Sequence, residues 1–256
     1  MRLIRLCLCM EGSSADRAPH VEYERALRFE LSDFERLLRR VSDAGRRFVT
    51  HDELPTTGET PAGVLLRHDV ALSLDRAVTM ARLEATLRIN GTYCVAVDAP
   101  LYDASTVVYD RALRTISRLG HDVGLLFDPG AHWEGRPDES TFRAAVRDER
   151  ETLERLLGRP VDVVSFRGSP AWTRDVSLPE LVHADRVPPE ATHPRLVDRE
   201  LRGTDPFATG VPERFQLVVH PGLWQPAERS EHAVLETCRR DAHGQVDDYF
   251  DAFDVA

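Results

Sequence analysis

Apolar segments of strand length alternate with amphipathic segments of helix length along most of the chain, and this alternation restricts the fold more than any other feature. The amphipathic segments repeat apolar residues every three or four positions, which is the spacing of a helix that packs on one face. Strands separated by such helices pair in parallel. The sequence therefore predicts an α/β fold with a parallel sheet or barrel. The clearest strands are predicted at 64–70, 91–97, 122–128, 161–166 and 215–220.

Capping residues and glycines mark the ends of the predicted helices. Ser32 and Glu35 have the spacing of a capping box, which predicts that Ser32 caps the first helix. Gly45 supplies the end of that helix, and Ser73 marks the start of the next one. Residues 168–214 are rich in Pro, Asp and Arg, and the strand and helix signals fade there.

The charge and composition exclude several classes of function. The chain of 256 residues has a formal net charge of −10, and all 33 of its basic residues are arginines. A nucleic-acid partner needs a cationic face, so none is expected. The absence of lysine excludes chemistry that uses a lysine amine as a Schiff base. No segment of the sequence has the length and apolarity of a membrane span, which predicts no membrane partner and favours the cytoplasm.

The sequence contains no linker that would divide it into two units. Residues 21–256 are therefore predicted to form a single domain, preceded by a loose polar lead-in over 1–20. Cys7 and Cys9 form a lone Cys-x-Cys pair with no nearby His, which favours two small apolar residues over a metal or redox site. Assembly into a homo-oligomer or a hetero-oligomer stays open.

Three of the predicted strands end in polar residues, namely Asp69, Asp128 and His220. In barrels of parallel strands, the functional groups sit at the C-terminal ends of the strands. One interpretation is that these residues form the rim of an active site. The other is that strand ends are polar because they meet solvent. Position alone does not choose between them.

Six segments follow one another in the order and spacing of a known enzyme family. They are 29–54, 64–85, 91–97, 120–129, 158–170 and 217–224. They resemble the polysaccharide deacetylase family, also called the chitooligosaccharide-deacetylase homology domain, and within it the branch whose first motif reads Arg-His-Asp-Val-Asp. The resemblance implies a distorted (β/α) barrel of fewer than eight strands. It also implies hydrolysis of an acetamide on a saccharide, with a divalent metal, usually zinc, held by one Asp and two His.

The resemblance assigns roles to residues by their positions in the motifs. Asp69 matches the general base, and His220 matches the general acid. Ala71 stands where the family has its metal-binding Asp, and Leu126 stands where it has its first metal-binding His. The second metal-binding His would fall at Gly130. The resemblance thus implies that acid and base remain while the metal site is eroded, so that no cofactor is expected.

Four further residues are expected to contact the substrate. Arg67 and His68 precede Asp69 in the first motif, and Trp224 matches an aromatic residue that commonly follows the last motif. Arg167 stands where a His usually follows Ser-Phe. It is expected either to neutralise Asp69 or to bind an anionic substrate with its planar guanidinium group.

A displaced metal site is the alternative to an eroded one. Asp128 and His132 lie four residues apart just after a predicted strand. If that loop turns helical, they share a face and could hold zinc or another divalent ion together with Asp69.

Three hypotheses about function follow from these residues. The first is a divergent or inactive homologue that binds a saccharide or nucleotide-sugar, alone or beside an active enzyme. The second is a hydrolase that cleaves an N-acetyl or other amide bond on a saccharide with the displaced metal. The third is metal-free acid–base chemistry, such as isomerisation or lyase action, by Asp69 and His220. Whether the chain is an enzyme is open at this point.

Overall fold

The fold is that of a computed structural model, which describes residues 26–54, 62–99, 101–103, 107–168, 170–186 and 193–254. The predicted lead-in over 1–20 lies outside these residues, and so do Cys7 and Cys9. In the described residues, helices and strands alternate as the sequence predicts.

The helices and strands of the described residues have the following bounds. The helices are α1 (Leu31–Asp43), α2 (Leu74–Thr86), α3 (Val107–Arg118), α4 (Pro129–His132), α5 (Glu139–Leu157), α6 (Asp198–Leu201) and α7 (Glu231–Asp254). The strands are β1 (Phe48–Val49), β2 (Val64–Val70), β3 (Thr92–Val95), β4 (Asp98–Ala99), β5 (Tyr102–Asp103), β6 (Asp122–Phe127), β7 (Val163–Phe166), β8 (Val182–His183), β9 (Arg195–Val197) and β10 (Phe215–Val219). Within this part of the chain, no helix combines the length and apolarity needed to cross a membrane.

Seven strands follow one path through a curled sheet, in the order β8-β7-β6-β3-β2-β10-β9. The two-residue strand β1 adds to the start of β2, and every pair in this sheet is parallel. β4 and β5 form a separate antiparallel hairpin. The fold class is therefore the predicted one, an α/β protein with a distorted (β/α) barrel whose path has fewer than eight strands.

Successive residues of β2 face opposite sides of the sheet, as in any pleated strand. Leu66 and His68 face the helices, where both lie near the buried ring of Phe34 from α1. Arg67 and Asp69 face the interior of the barrel and line a cleft there. The apolar contacts of the helix side stabilise the fold, since full burial of one large apolar side chain contributes about 1.5–3 kcal/mol.

The two predicted helix caps have opposite outcomes. Ser73 caps α2, because its side chain accepts a hydrogen bond from the backbone N–H of Arg76 at 3.3 Å. The prediction of a capping box at Ser32 is wrong. The helix α1 begins at Leu31, two residues before a helix capped by Ser32 would begin, and Ser32 lies in its first turn, where its hydroxyl donates to Glu30 Oε2 at 3.2 Å.

Residues 168–214, which lack clear periodicity, contribute two short strands, a 3-10 turn (Ala171–Asp175) and one turn of α-helix. β8 and β9 lie at the two ends of the sheet path, where they pair with β7 and β10. Each has only two or three residues, which is too short for a periodic pattern to be visible in the sequence. Two acidic residues of this segment, Asp185 and Asp198, are buried in the structure.

Candidate active site

A cleft of about 790 Å³ opens at the C-terminal ends of the parallel strands. Asp69, Arg167 and His220 all line it, although they come from three separate motifs. The strands β2 and β10 are neighbours, and their register pairs His68 with Val219. The next residue of each strand, Asp69 and His220, therefore stands at the same level of the sheet. The predicted convergence of the three residues is present in the structure.

Asp69 presents one carboxylate oxygen that has no partner among the described residues. Its Oδ2 accepts a hydrogen bond from Arg67 Nη2 at 2.9 Å. Its Oδ1 is buried and makes no hydrogen bond within that part of the chain. Because a buried acceptor without a partner costs about 1–3 kcal/mol, Oδ1 is the atom of this carboxylate that a ligand or a proton would satisfy.

Arg67 orients Asp69 and is itself held by Asp185. Arg67 Nη1 donates to Asp185 Oδ1 at 2.9 Å, and Asp185 also accepts from the backbone N–H of Phe166 at 2.9 Å. Burial alone disfavours both charges, but Asp69 and Asp185 raise the pKa of Arg67, and Arg67 with the Phe166 N–H lowers the pKa of Asp185. Arg67 lines the cleft as predicted, and two of its nitrogens are already bound to carboxylates.

His220 is held in one orientation by Asp198, the first residue of α6. The ring Nδ1 lies 2.7 Å from Asp198 Oδ1, and the backbone N–H of His220 donates to Asp198 Oδ2 at 2.8 Å. Burial alone would lower the pKa of His220, but the hydrogen bond and charge of Asp198 outweigh it and raise that pKa, and Asp69 adds to the rise. Because Asp198 holds Nδ1, Nε2 is the ring nitrogen left for a ligand.

Trp224 does not line the cleft, which corrects the prediction that it contacts the substrate. Its side chain is fully buried and packs against Phe29 and Phe34. Its Nε1 donates to Asp198 Oδ2 at 2.9 Å. Trp224 therefore fixes the carboxylate that orients His220, and its aromatic body belongs to the core beneath α1.

His68 is also corrected, because it faces the helix side of β2 and not the cleft. Its side chain is fully buried, with Nε2 2.9 Å from Glu84 Oε1 and its ring stacked on Tyr93 at 4.0 Å. The same buried cluster contains His121, whose Nδ1 accepts from the backbone N–H of Gly91 at 3.2 Å. These contacts join β2, α2, β3 and β6, so His68 has a structural role.

Arg167 pairs with Asp128 and not with Asp69. Its Nη1 donates to Asp128 Oδ2 at 2.9 Å, and the other oxygen of Asp128 accepts from the backbone N–H of Gly130 at 3.0 Å. The expectation that Arg167 neutralises Asp69 is thus corrected, because Arg67 already has that position. The alternative expectation, contact with an anionic substrate, remains compatible with its place in the cleft.

The residues that the resemblance assigns to metal-binding positions do not fit a metal ion. Ala71 and Leu126 line the cleft with a methyl group and an isobutyl group. Gly130, at the third position, has no side chain at all. Zinc in catalytic sites takes three protein ligands from His, Cys, Asp or Glu, and none of these three residues supplies one.

The displaced metal site is not assembled either. Asp128 is bound to Arg167, and His132 Nε2 lies 2.7 Å from Glu149 Oε1, with its ring stacked on Phe127. Within the described chain, no group of three or more His, Cys, Asp or Glu side chains is arranged to hold a metal ion. Asp69, Asp128 and His132 therefore do not form the proposed triad, because their side chains are turned to other partners.

Sequence reasoning missed Asp185 and Asp198, the two acidic residues that hold Arg67 and His220. Both lie in 168–214, where the periodic signals fade. One signal in the sequence could have indicated Asp198: it directly follows the short apolar run Leu196–Val197, as His220 follows Leu217–Val219. No comparable pattern marks Asp185.

Comparison with known proteins gives remote structural likenesses only. No family model matches the chain, and no curated protein matches it. Among solved structures, it is similar to the Streptococcus pyogenes deacetylase PplD (14% identity, 52% of this chain and 60% of that one, TM-score 0.42). It is similar to a CE4 family pseudoenzyme from Bacillus anthracis (11%, 75% and 66%, 0.41). It is also similar to a family 4 carbohydrate esterase from Streptomyces lividans (11%, 71% and 86%, 0.44). The chain spans less than two thirds of the first two structures, and likenesses of this size assign no activity.

Proposed function

We propose that this chain is a polysaccharide deacetylase-like protein that binds a saccharide or nucleotide-sugar in the cleft and lacks the family's metal chemistry. The observation that carries the proposal is the contrast within one cleft. Asp69, at the base position, and His220, at the acid position, are each held by a dedicated partner. Ala71 and Leu126, at the metal-ligand positions, are aliphatic. A cation needs donor atoms, and aliphatic side chains supply none.

The lining of the cleft supports a saccharide as the ligand class. Its volume lies within the range of about 300–1,000 Å³ that is usual for small-molecule sites. Asp69, Arg167 and His220 supply hydrogen-bonding groups, and Ala71, Leu72 and Leu235 supply apolar surface. A pyranose ring offers both kinds of surface, because its hydroxyls point outward and its C–H groups form an apolar face.

Binding that is independent of metal is the direct expectation. Isothermal titration with N,N′-diacetylchitobiose and with UDP-N-acetylglucosamine should give the same Kd before and after treatment with EDTA, and elemental analysis should find no stoichiometric zinc. Asp69→Asn should weaken binding about tenfold, because a charged acceptor is lost. The exposed Asp75 in α2 gives the matched control, since Asp75→Asn should leave the Kd unchanged. One equivalent of zinc, removed by chelation together with acetate release from the saccharide, would contradict the proposal.

Metal-free proton transfer by Asp69 and His220 is the second candidate, and the arrangement of the two side chains favours it. Asp69 Oδ1 has no partner within the described residues, so it can accept a proton from a bound saccharide. The raised pKa of His220 favours the imidazolium form, which can return a proton from Nε2. Proton removal at one atom and delivery at another is the chemistry of an isomerase or lyase.

Exchange of saccharide C–H protons with deuterium tests this candidate. In D2O, the protein should label a bound saccharide, as read by NMR, and Asp69→Asn should slow labelling by about 100-fold or more. Asp198→Asn should move the alkaline fall of the rate to lower pH, because the carboxylate that raises the pKa of His220 is gone. His132→Gln, outside the cleft, is the control and should label like the wild type. Binding without any labelling would leave only the binding function.

A further inference from the structure

The arginines of the cleft fall into two groups that differ in what they can still bind. Arg67 and Arg195 are turned to internal partners. Arg67 is bound to two carboxylates, and Arg195 donates from Nε to Gln216 Oε1 at 3.1 Å and from Nη2 to the carbonyl of Asp185 at 2.8 Å. Arg167 and Arg199 also line the cleft, but about half of each side chain is exposed. An incoming ligand can reach these two.

Arg167 and Asp69 line the same cleft. Arg167 follows β7, at the same edge of the sheet as the carboxylate, and its side chain is 47% exposed. It uses one terminal nitrogen for Asp128, which is itself 26% exposed. An exposed ion pair of this kind contributes about 0–1 kcal/mol, so a ligand can share or replace it. The guanidinium has five N–H donors, and this pair uses one terminal nitrogen.

Arg167 and the acid–base pair lie at different positions along the sheet. Along the sheet path, Arg167 follows β7, β6 and β3 come next, and β2 carries Asp69 beside His220, which follows β10. A ligand that spans this line meets a cation at one end and two proton-transfer groups at the other. A neutral sugar would give Arg167 no anionic partner beyond Asp128.

We propose that Arg167 binds the phosphate or carboxylate of an anionic saccharide whose ring reaches Asp69 and His220. This rests on the proposed saccharide binding and adds the charge of the ligand. A guanidinium matches both anions with two parallel hydrogen bonds, which gives strength and orientation together. Phosphate and carboxylate both accept these paired hydrogen bonds, so the guanidinium group alone does not distinguish between them.

Three monosaccharide probes separate charge from sugar recognition. They are neutral N-acetylglucosamine, N-acetylglucosamine 1-phosphate and glucuronic acid, each titrated into the full chain with the Kd measured by NMR or calorimetry. At least one anionic probe should bind about tenfold or more tightly than the neutral sugar. That advantage should shrink at high salt, which screens the exposed guanidinium. The probe that gains shows whether a phosphate or a carboxylate is preferred.

Arg167→Gln should remove the advantage of the anionic probe over the neutral sugar. Arg159 offers a matched control at the opposite edge of the same strands. It pairs with Asp122 at the start of β6 through one terminal nitrogen at 3.2 Å, and its side chain is 40% exposed. Arg159→Gln should therefore have no effect on either Kd.

Each contrary outcome has a distinct meaning. If the neutral and anionic probes bind equally well, or if Arg159→Gln weakens the anionic probe as much as Arg167→Gln, the role of Arg167 is overturned and saccharide binding stands. If none of the three probes binds, the role of Arg167 and the proposed function are both overturned. Circular dichroism of both variants should match the wild type, since each substitution removes an exposed side chain.

Discussion

Replacement of Asp185 by alanine is expected to lower the free energy of unfolding by about 3–5 kcal/mol, the usual effect of removing one partner from a buried ion pair. Asp185 is fully buried and holds Arg67 on one side and the backbone N–H of Phe166 on the other. Its loss leaves the buried guanidinium of Arg67 with Asp69 as its one described carboxylate. Urea unfolding at pH 7 measures the change directly.

The matched control for this variant is Asp162, a carboxylate on the surface. It lies 3.6 Å from Arg150 and is 62% exposed, so Asp162→Ala should change stability by no more than about 1 kcal/mol. Adding Arg67→Met to Asp185→Ala should restore part of the lost stability, because the unpaired charge is then gone. A loss below about 1 kcal/mol for Asp185→Ala would show that Arg67 does not depend on this carboxylate.

Stability is expected to fall as the pH drops below about 6.5, because His51 is buried in a neutral form. Gln216 donates from its amide nitrogen to His51 Nε2 at 3.0 Å, and His51 Nδ1 lies 3.1 Å from the hydroxyl of Thr92. The amide orientation is fixed, since its oxygen accepts from Arg195. Protonation of His51 would place its Nε2–H against the N–H of the Gln216 amide. Burial, followed by the charge of Arg67, lowers the pKa of His51 to about 3.

The sign and size of this effect follow from proton linkage. Between pH 6.5 and about 3, the unfolded chain binds a proton at this histidine and the folded chain does not, so stability falls with falling pH. At pH 4.5, His51 alone accounts for about 2–3 kcal/mol. His121 and His183 act in the same direction, because burial lowers the pKa of each. His220 acts in the opposite direction, since its pKa is raised.

Urea unfolding between pH 7.5 and 4.5 measures this dependence. His51→Gln should reduce the slope of the unfolding free energy against pH by the equivalent of about one bound proton. It should cost stability at pH 7, where the imidazole contacts are lost. His232→Gln, at an exposed position on α7, should cost little stability at either pH. An unchanged slope in His51→Gln would show that His51 is protonated in the folded chain.

The parts of the fold that could be predicted are those with a local pattern. The strand β2 has the predicted bounds. Each end of β3, β6, β7 and β10 lies within two residues of its predicted position. Each of these strands is covered on both faces, by helices on one side and by the barrel interior on the other. Its apolar residues therefore form a continuous run that is easy to detect. The predicted cap at Ser32 is wrong because α1 begins two residues earlier than that cap would place it, and tertiary contacts decide such shifts.

The site was predictable in its positions but not in its connections. Asp69, Arg167 and His220 could be placed together because each ends a parallel strand. Which carboxylate holds which cation depends on side-chain geometry across strands far apart in sequence. Asp185 and Asp198 therefore could not be assigned from their neighbours. Trp224 and His68 were misjudged because position in a motif does not say which face of the sheet a side chain takes.

The alternating faces of β2 have a consequence for how this motif changes during evolution. Arg67 and Asp69 line the cleft, whereas His68 between them meets Glu84 and Tyr93 in the core. A lineage that abandons the cleft would lose the selection on Asp69 but keep the selection on His68, because the buried glutamate still needs its partner. Retention of the histidine in such a motif is therefore evidence of an intact core, and the acidic residue beside it reports on the use of the cleft.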